Sequence, residues 1–96
     1  MLKYKKIKVK GNYIEAFCIN LQSKNFILLR GKNGYIMCGY LNLSVANKFK
    51  DVAIKITGVS SIEEALKAKV QALTFRAGAL GVYKGQSVKD VLSLIV

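Results

Sequence analysis

The stretch YIEAFCINLQSKNFILLRGKNGYIMCGYL, residues 13–41, decides the fold. It contains apolar runs at 13–21, 26–29 and 35–41, which are separated by short polar or glycine-containing segments. Runs of this length with such boundaries predict β-strands, and Asn33-Gly34 is a typical hairpin signal. Because the connections are short, the stretch predicts an antiparallel meander.

One further strand is predicted before this stretch, over Lys3 to Lys10. Lysines alternate with apolar residues there, so that Ile7 and Val9 share one face and lysines occupy the other. The pair Gly11-Asn12 predicts the turn into the second strand. The N-terminal region, about 3–41, is therefore expected to supply four strands.

A short helix and a fifth strand are predicted next. Asn42 is a suitable N-cap for a helix from Leu43 to about Lys50, with Leu43, Ala46 and Phe49 as its buried stripe. Residues 52–59 then alternate as a strand. A helical crossover favours a parallel, right-handed placement of this strand near the fourth.

The remaining residues predict helices. Ser61 and Glu64 have the spacing of a capping box, and Gly81 is a natural residue to follow a helix. Apolar residues between them suit one helix over 62–80, but Thr74 offers a second N-cap, so a break near Val70 remains an alternative. A last helix begins after Ser87, and its apolar face consists of Val88, Val91, Leu92 and Ile95.

Together these elements predict one α+β domain over residues 1–96. It has a meander of about four strands, a fifth strand after a short helix, and two or three C-terminal helices on one face of the sheet. No apolar run approaches the roughly 20 residues of a membrane helix, and no signal peptide is apparent. A cytoplasmic protein is expected.

Several kinds of chemistry are disfavoured by composition. The chain has no histidine, which removes the commonest general base and the Cys-His nucleophile pair. Its 2 cysteines, Cys18 and Cys38, lie far apart in the sequence, and neither has a second Cys or a His nearby. We therefore expect neither a metal site nor a cofactor.

Self-association is predicted from the strands that are apolar on both faces. An antiparallel sheet with one face in water should alternate between apolar and polar residues, and the second to fourth strands do not. The hydrophobic fraction, 52%, is correspondingly high. The region 3–41 is thus the expected oligomerisation part, unless the first strand folds across that face and covers it.

The charge pattern raises a further alternative. The chain has 16 basic and 5 acidic residues, a net charge of +11, which can indicate a nucleic-acid partner. However, only Arg30 and Arg76 are arginines, the residue best suited to bidentate phosphate contacts. A solvated edge strand explains the N-terminal lysines more simply. Those lysines are Lys3, Lys5, Lys6, Lys8 and Lys10.

The motif Gly34-Tyr35-Ile36-Met37-Cys38-Gly39 resembles the signature of the YunC-like proteins, a family of unknown function. The segments 57–66, 79–82 and 85–92 fit the same pattern, so the resemblance spans about 13–92. It implies an α+β fold whose N-terminal β region drives tetramerisation, and it implies no activity. Members commonly carry Asp shortly after the Cys-Gly pair, where this chain has Asn42.

Candidate site residues cluster around this motif. Cys38 is the candidate nucleophile, although a small buried residue in a packed strand is the simpler interpretation. The candidate ligand-binding residues are Gly34, Tyr35, Cys38, Gly39 and Asn42. The leading hypothesis is a binding or scaffolding homo-oligomer, expected to be a tetramer. The alternatives are an enzyme with a Cys38-centred site at a subunit boundary and a nucleic-acid-binding protein.

Overall fold

The computed structural model describes residues 2–96, which form a mixed sheet and four short helices. The strands are β1 (Leu2–Val9), β2 (Asn12–Asn20), β3 (Asn25–Arg30), β4 (Tyr35–Met37), β5 (Ala53–Lys55) and β6 (Ala72–Leu73). The helices are α1 (Leu43–Lys48), α2 (Ile62–Leu66), α3 (Phe75–Ala79) and α4 (Val88–Ile95). The strands lie in the sheet in the same order as in the chain.

The sheet topology confirms the predicted α+β class. Strands β1 to β4 form an antiparallel meander, and β5 lies parallel to β4 after the α1 crossover. The sheet also has one strand more than predicted, because β6 pairs antiparallel with β5.

The hairpin between β1 and β2 turns one residue earlier than predicted. Val9 pairs with Asn12, so the turn residues are Lys10 and Gly11, with φ angles of 51° and 81°. Two residues in the left-handed region match the twist of the flanking strands. Asn12 belongs to β2 rather than to the turn.

The inner face of the sheet carries most of the buried core. Its buried strand residues are Ile14, Ala16, Cys18, Ile27, Leu29, Ile36 and Ile54. Residues of α2, α3 and α4 join the same cluster, which places the C-terminal helices on this face as predicted. The predicted apolar face of α4 is buried at all four positions.

The outer face is covered by α1 beside β4 and β5. Ala46 and Ala53 are buried together there, and the Asn42 side chain caps the helix by accepting a hydrogen bond from Val45 N–H at 3.2 Å. The prediction that Phe49 is buried was wrong, because its side chain is 72% exposed. The helix ends at Lys48, and Lys50 adopts a φ of 60°, so Phe49 lies in the turn that leads from α1 into β5.

The segment 62–80 contains two helices, so the alternative of one continuous helix was wrong. Gln71 N–H donates to the Lys55 carbonyl at 2.9 Å, and Thr74 N–H donates to the Ala53 carbonyl at 3.0 Å. These bonds pair the intervening residues with β5. Thr74 then caps α3, as its sequence position indicated.

The capping box at Ser61 forms only in part. The Ser61 side chain accepts a hydrogen bond from Glu64 N–H at 3.1 Å, as predicted. The Glu64 carboxylate accepts from Ser60 N–H at 2.7 Å instead of reaching Ser61 N–H. That backbone bond is the main cause that lowers the pKa of Glu64.

Candidate functional site

A cleft of about 690 Å³, here called the strand-end cleft, lies at one end of the strands. Because β4 and β5 are parallel, their carboxyl ends meet at this end of the sheet, and the turn between β2 and β3 lies there as well. In open α/β sheets, ligands bind beyond the carboxyl ends of the parallel strands, and the β4–β5 pair has the same local arrangement here. The lining comprises residues 20–25, Cys38, Gly39, Tyr40 and residues 57–60.

Cys38 lies at the bottom of this cleft and is 5% exposed. Its N–H donates to the Ile27 carbonyl at 3.1 Å, but its own carbonyl accepts from Leu41 N–H at 3.1 Å. The carbonyl is therefore turned away from β3, and Ile27 N–H donates to Cys38 Sγ at 3.3 Å instead. The predicted strand over 35–41 ends at Met37 for this reason.

The second cysteine, Cys18, also lies beside Ile27, but on the strand at the opposite side of β3. Cys18 pairs with Ile27 across β2 and β3, so the two cysteines are two strands apart, roughly 9–10 Å. This separation exceeds what a disulfide can span, and both thiols are free. Cys18 has no side-chain hydrogen bond within the described residues.

Cys38→Ala is expected to destabilise the protein by about 2 kcal/mol, because it leaves buried Ile27 N–H without an acceptor. Cys18→Ala removes a similarly buried thiol without breaking a hydrogen bond, so a loss of about 1 kcal/mol is expected. Urea denaturation of both variants measures the difference. Equal losses would contradict an acceptor role for Cys38 Sγ.

The walls of the strand-end cleft are joined by a chain of amide hydrogen bonds. Asn20 Nδ2 donates to Asn25 Oδ1 at 2.8 Å, and Asn25 Nδ2 donates to the Ser60 carbonyl at 2.7 Å. Ser60 N–H and Oγ–H both donate to Glu64 in α2. The β2–β3 turn is thereby fixed against residues 57–60 and, through them, against a helix.

A glycine-loop cleft of about 330 Å³ lies at the opposite end of β4. It is lined by residues 30–35 and 50–52. Gly31 N–H donates to the Gly34 carbonyl and Asn33 N–H donates to the Ile95 carbonyl, each at 2.8 Å. Since two of its N–H groups are already bonded, this loop is poorly suited to surround a phosphate.

Tyr35 forms the polar contact of the glycine-loop cleft. Its hydroxyl donates to Asp51 Oδ2 at 2.8 Å. Burial, together with this hydrogen bond, raises the pKa of Tyr35 to about 12. The hydroxyl therefore stays protonated at alkaline pH at which an ordinary tyrosine ionises, and it connects β4 to the segment between α1 and β5.

The structure separates the predicted ligand-binding residues. Cys38 and Gly39 line the strand-end cleft, whereas Gly34 and Tyr35 line the glycine-loop cleft, since the six-residue motif runs the length of β4. Asn42 lies in neither lining and caps α1. Residues 20–25 and 57–60, which also line the strand-end cleft, were not among the predicted site residues. Two features of the sequence could have indicated them: the polar turn after β2, and Gly58 after β5, the strand parallel to β4.

The N-terminal lysines do not share one face. The register with β2 places Lys3 and Lys5 on the inner side of β1, and Lys6 and Lys8 on the outer side. Lys10 is a turn residue. The lysine-rich strand therefore distributes its charge around a sheet edge.

The outer face of β1 to β3 presents an apolar surface, here called the open face. It consists of Leu2, Tyr4, Phe17, Ile19, Phe26 and Leu28, which the strand register brings together. Leu2 is 64% exposed, and Tyr4 and Ile19 are exposed as well. Strand β1 extends the sheet beside β2, so the alternative that it covers this face was wrong.

One ionic group lies within the open face. The Glu15 carboxylate accepts hydrogen bonds from Tyr4 Oη–H at 2.7 Å and from Arg30 Nη2 at 2.5 Å. The bond from Arg30 is the main cause that lowers the pKa of Glu15. The Arg30 guanidinium also lies 5.5 Å from the Phe17 ring centroid. The only acidic side chain on these three strands is thus already paired within the chain.

Neither a metal cluster nor a membrane helix is found in residues 2–96. No group of three or more His, Cys, Asp or Glu side chains in this range could hold a metal ion. No helix in it is long and apolar enough to cross a bilayer.

Comparisons with known proteins agree with the fold. The model of a domain of unknown function, DUF1805, matches residues 37–95. The chain is 32% identical to the uncharacterised protein YunC of Bacillus subtilis, over 96% of this chain and 95% of that protein. The crystal structure of a protein of unknown function, TA1206 from Thermoplasma acidophilum, superposes with a TM-score of 0.96 at 29% identity. That match covers 100% of this chain and 94% of TA1206.

Proposed function

The chain belongs to the YunC-like family with the DUF1805 domain, and we propose that it is a cytoplasmic homo-oligomer whose subunits assemble through the open face. The single observation that supports this proposal is the apolar surface on β1 to β3, with Leu2 and Tyr4 64% and 47% exposed. Apolar side chains grouped in this way usually mark an interface. The function proposed is binding or scaffolding by the assembled sheet.

A second copy of this chain is the favoured occupant. Glu15, the acidic residue on this side of β1 to β3, is neutralised by Arg30 of its own chain, so the open face requires no charged partner. Lys6 and Lys8 lie at one end of the outer side, whereas Leu2 pairs with Ile19 at the other. A two-fold axis through the apolar end would bury the apolar residues of both copies and keep the lysines apart at opposite rims.

The free edge of β1 is a less suitable contact between copies. In β1, lysines occupy four of eight positions, 3, 5, 6 and 8, and side-by-side pairing of two such strands would bring like charges together. Face-to-face packing avoids this repulsion. A tetramer, the state that the family resemblance implies, would need a second contact in addition to the open face.

Ile19→Lys tests the proposal. The wild-type chain is expected to be a multimer at micromolar concentration, and a lysine at the centre of the contact should weaken assembly at least about a hundredfold, because it buries an unpaired charge. Leu80→Lys is the matched control, since Leu80 is 44% exposed and lies outside the open face. It should leave the multimer intact. Light scattering and native mass spectrometry provide the masses.

A wild-type monomer would contradict the proposal. So would an Ile19→Lys variant that keeps the wild-type mass, because the contact would then lie elsewhere. Circular dichroism distinguishes loss of assembly from loss of folding. Ile19 is 37% exposed in the single chain, so a lysine there can extend its ammonium group into solvent when the chain is a monomer.

A further inference from the structure

We propose that the strand-end cleft binds a small organic anion, with its carboxylate or phosphate group near Lys24 and its apolar part against Tyr40. The cleft volume, about 690 Å³, is typical of small-ligand sites. This inference is independent of the proposed assembly, because residues of one chain supply the whole lining.

Some hydrogen-bonding groups of the cleft are used within the chain. Several of its acceptors are already used within the chain: the carbonyls of Lys24, Cys38 and Ser60 each accept a hydrogen bond, as does Asn25 Oδ1. Cys38 Sγ accepts from Ile27 N–H. These acceptors are less available to a ligand, whereas the carbonyls of Gly39, Thr57 and Gly58 accept no hydrogen bond within the described residues.

Donors that an anion could use remain free in the same lining. Within the described residues, five peptide N–H groups in the lining segments that follow β4 and β5 have no protein acceptor. They belong to Gly39, Tyr40, Thr57, Gly58 and Val59. Peptide N–H groups of neighbouring residues around a concavity are a common way to bind anionic oxygens.

The charge of the lining favours an anion over a cation. The lining contains no carboxylate, and Lys24 is the only ionisable side chain in it besides Cys38 and Tyr40. The whole chain carries a net charge of +11, which would increase the local concentration of an anion. An ammonium or guanidinium ligand would find no counter-ion in the cleft.

Apolar surface next to these donors favours an organic anion over an inorganic one. The Tyr40 ring is 49% exposed and is held beside Phe26, with 6.3 Å between the ring centroids. Leu21 is 39% exposed on the wall formed by the β2–β3 turn. A flat apolar group could stack on Tyr40 while its anionic group contacts the free N–H groups.

Nuclear magnetic resonance titration of the whole chain tests this site. Benzoate and phenyl phosphate are the probes, benzamide is the uncharged control, and inorganic phosphate tests the anionic group alone. Saturable shifts are expected for the amides of Gly39, Tyr40, Gly58 and Val59 with one or both organic anions. The comparison of benzoate with phenyl phosphate identifies the preferred anionic group, and benzamide should cause much smaller shifts.

Two variants locate the binding. Lys24→Gln should weaken the affinity about tenfold, as expected for loss of one charged hydrogen bond, whereas Lys84→Gln, the same charge change outside the cleft, should not. Gly39→Leu should abolish the shifts, since a side chain would occupy the cleft. A Cβ on Gly39 meets no atom within 4 Å, so the fold should tolerate it.

The proposal fails if neither organic anion gives saturable shifts at these amides. It also fails if Lys24→Gln and Lys84→Gln weaken binding equally, because that result indicates general attraction to a basic surface. Shifts as large with benzamide as with benzoate would exclude an anion site. If Gly39→Leu does not fold, binding by Gly39→Ala and the comparison of Lys24→Gln with Lys84→Gln decide whether the site exists.

Discussion

Gly31→Ala is expected to destabilise the protein by about 3 kcal/mol, a large part of the stability of a small domain. A Cβ at this position would overlap the Ile95 carbonyl oxygen and would lie 2.9 Å from Ile14 Cδ1. The Ile95 carbonyl cannot easily move, because it accepts the hydrogen bond from Asn33 N–H and its residue is fully buried. Urea denaturation followed by circular dichroism measures the loss.

Gly39→Ala is the matched control for this prediction. Its Cβ would meet no atom within 4 Å, and its φ lies outside the left-handed region. The free energy of unfolding should therefore change by no more than about 0.5 kcal/mol. A Gly31→Ala variant as stable as the Gly39→Ala variant would show that α4 does not pack against the β3–β4 loop as closely as described.

Thr74→Val is expected to cost about 3 kcal/mol although the two side chains have nearly the same shape. Thr74 Oγ1 accepts from Ala53 N–H at 3.1 Å and from Ala77 N–H at 3.3 Å, and it donates to the Asp51 carbonyl at 2.7 Å. The residue is 1% exposed, so water cannot replace these bonds. Each buried group left unpaired costs about 1–3 kcal/mol. Thermal and urea denaturation measure the effect.

Two controls identify the hydroxyl as the cause. Thr74→Ser keeps the oxygen and should lose about 1 kcal/mol or less from the missing methyl group. Thr57→Val makes the same change at an exposed position whose hydroxyl has no hydrogen bond within residues 2–96, so little change is expected. If Thr74→Ser is as unstable as Thr74→Val, the hydrogen bonds are not the reason.

Local signals in the sequence predicted the elements that depend on nearby residues. The meander followed from apolar runs with polar turns, and the caps at Asn42, Ser61 and Thr74 followed from side chains that reach N–H groups three residues away. The buried face of α4 followed from its helical period. Each of these features is determined by residues that are close in the chain.

Features that depend on distant residues were missed. Strand β6 exists because residues 71–74 pair with β5. A strand of two residues is too short to show an alternating apolar and polar pattern in the sequence. Likewise, β4 ends at Met37 because Cys38 turns its carbonyl toward Leu41, while its sulfur replaces that carbonyl as the acceptor for Ile27. An apolar run alone cannot show where the pairing of a strand stops.

The site was predicted only in part for the same reason. The motif 34–39 indicated the correct strand, but it could not show that the two ends of this strand lie in different clefts. Residues 20–25 and 57–60 reach Cys38 only through the pairing of β2 with β3 and of β4 with β5. Their polar composition is ordinary for loops, so no single segment identified them.

The match between strand order and chain order has a consequence for folding during synthesis. Each strand pairs with the one made just before it, so the sheet can grow at one edge as the chain leaves the ribosome, without waiting for distant segments. Helix α4 is the last described element to emerge, yet it buries the inner face of β2 and β3. The nascent sheet therefore passes through a period with Ile14, Ile27 and Leu29 in water. During that period it is most exposed to aggregation and to capture by chaperones.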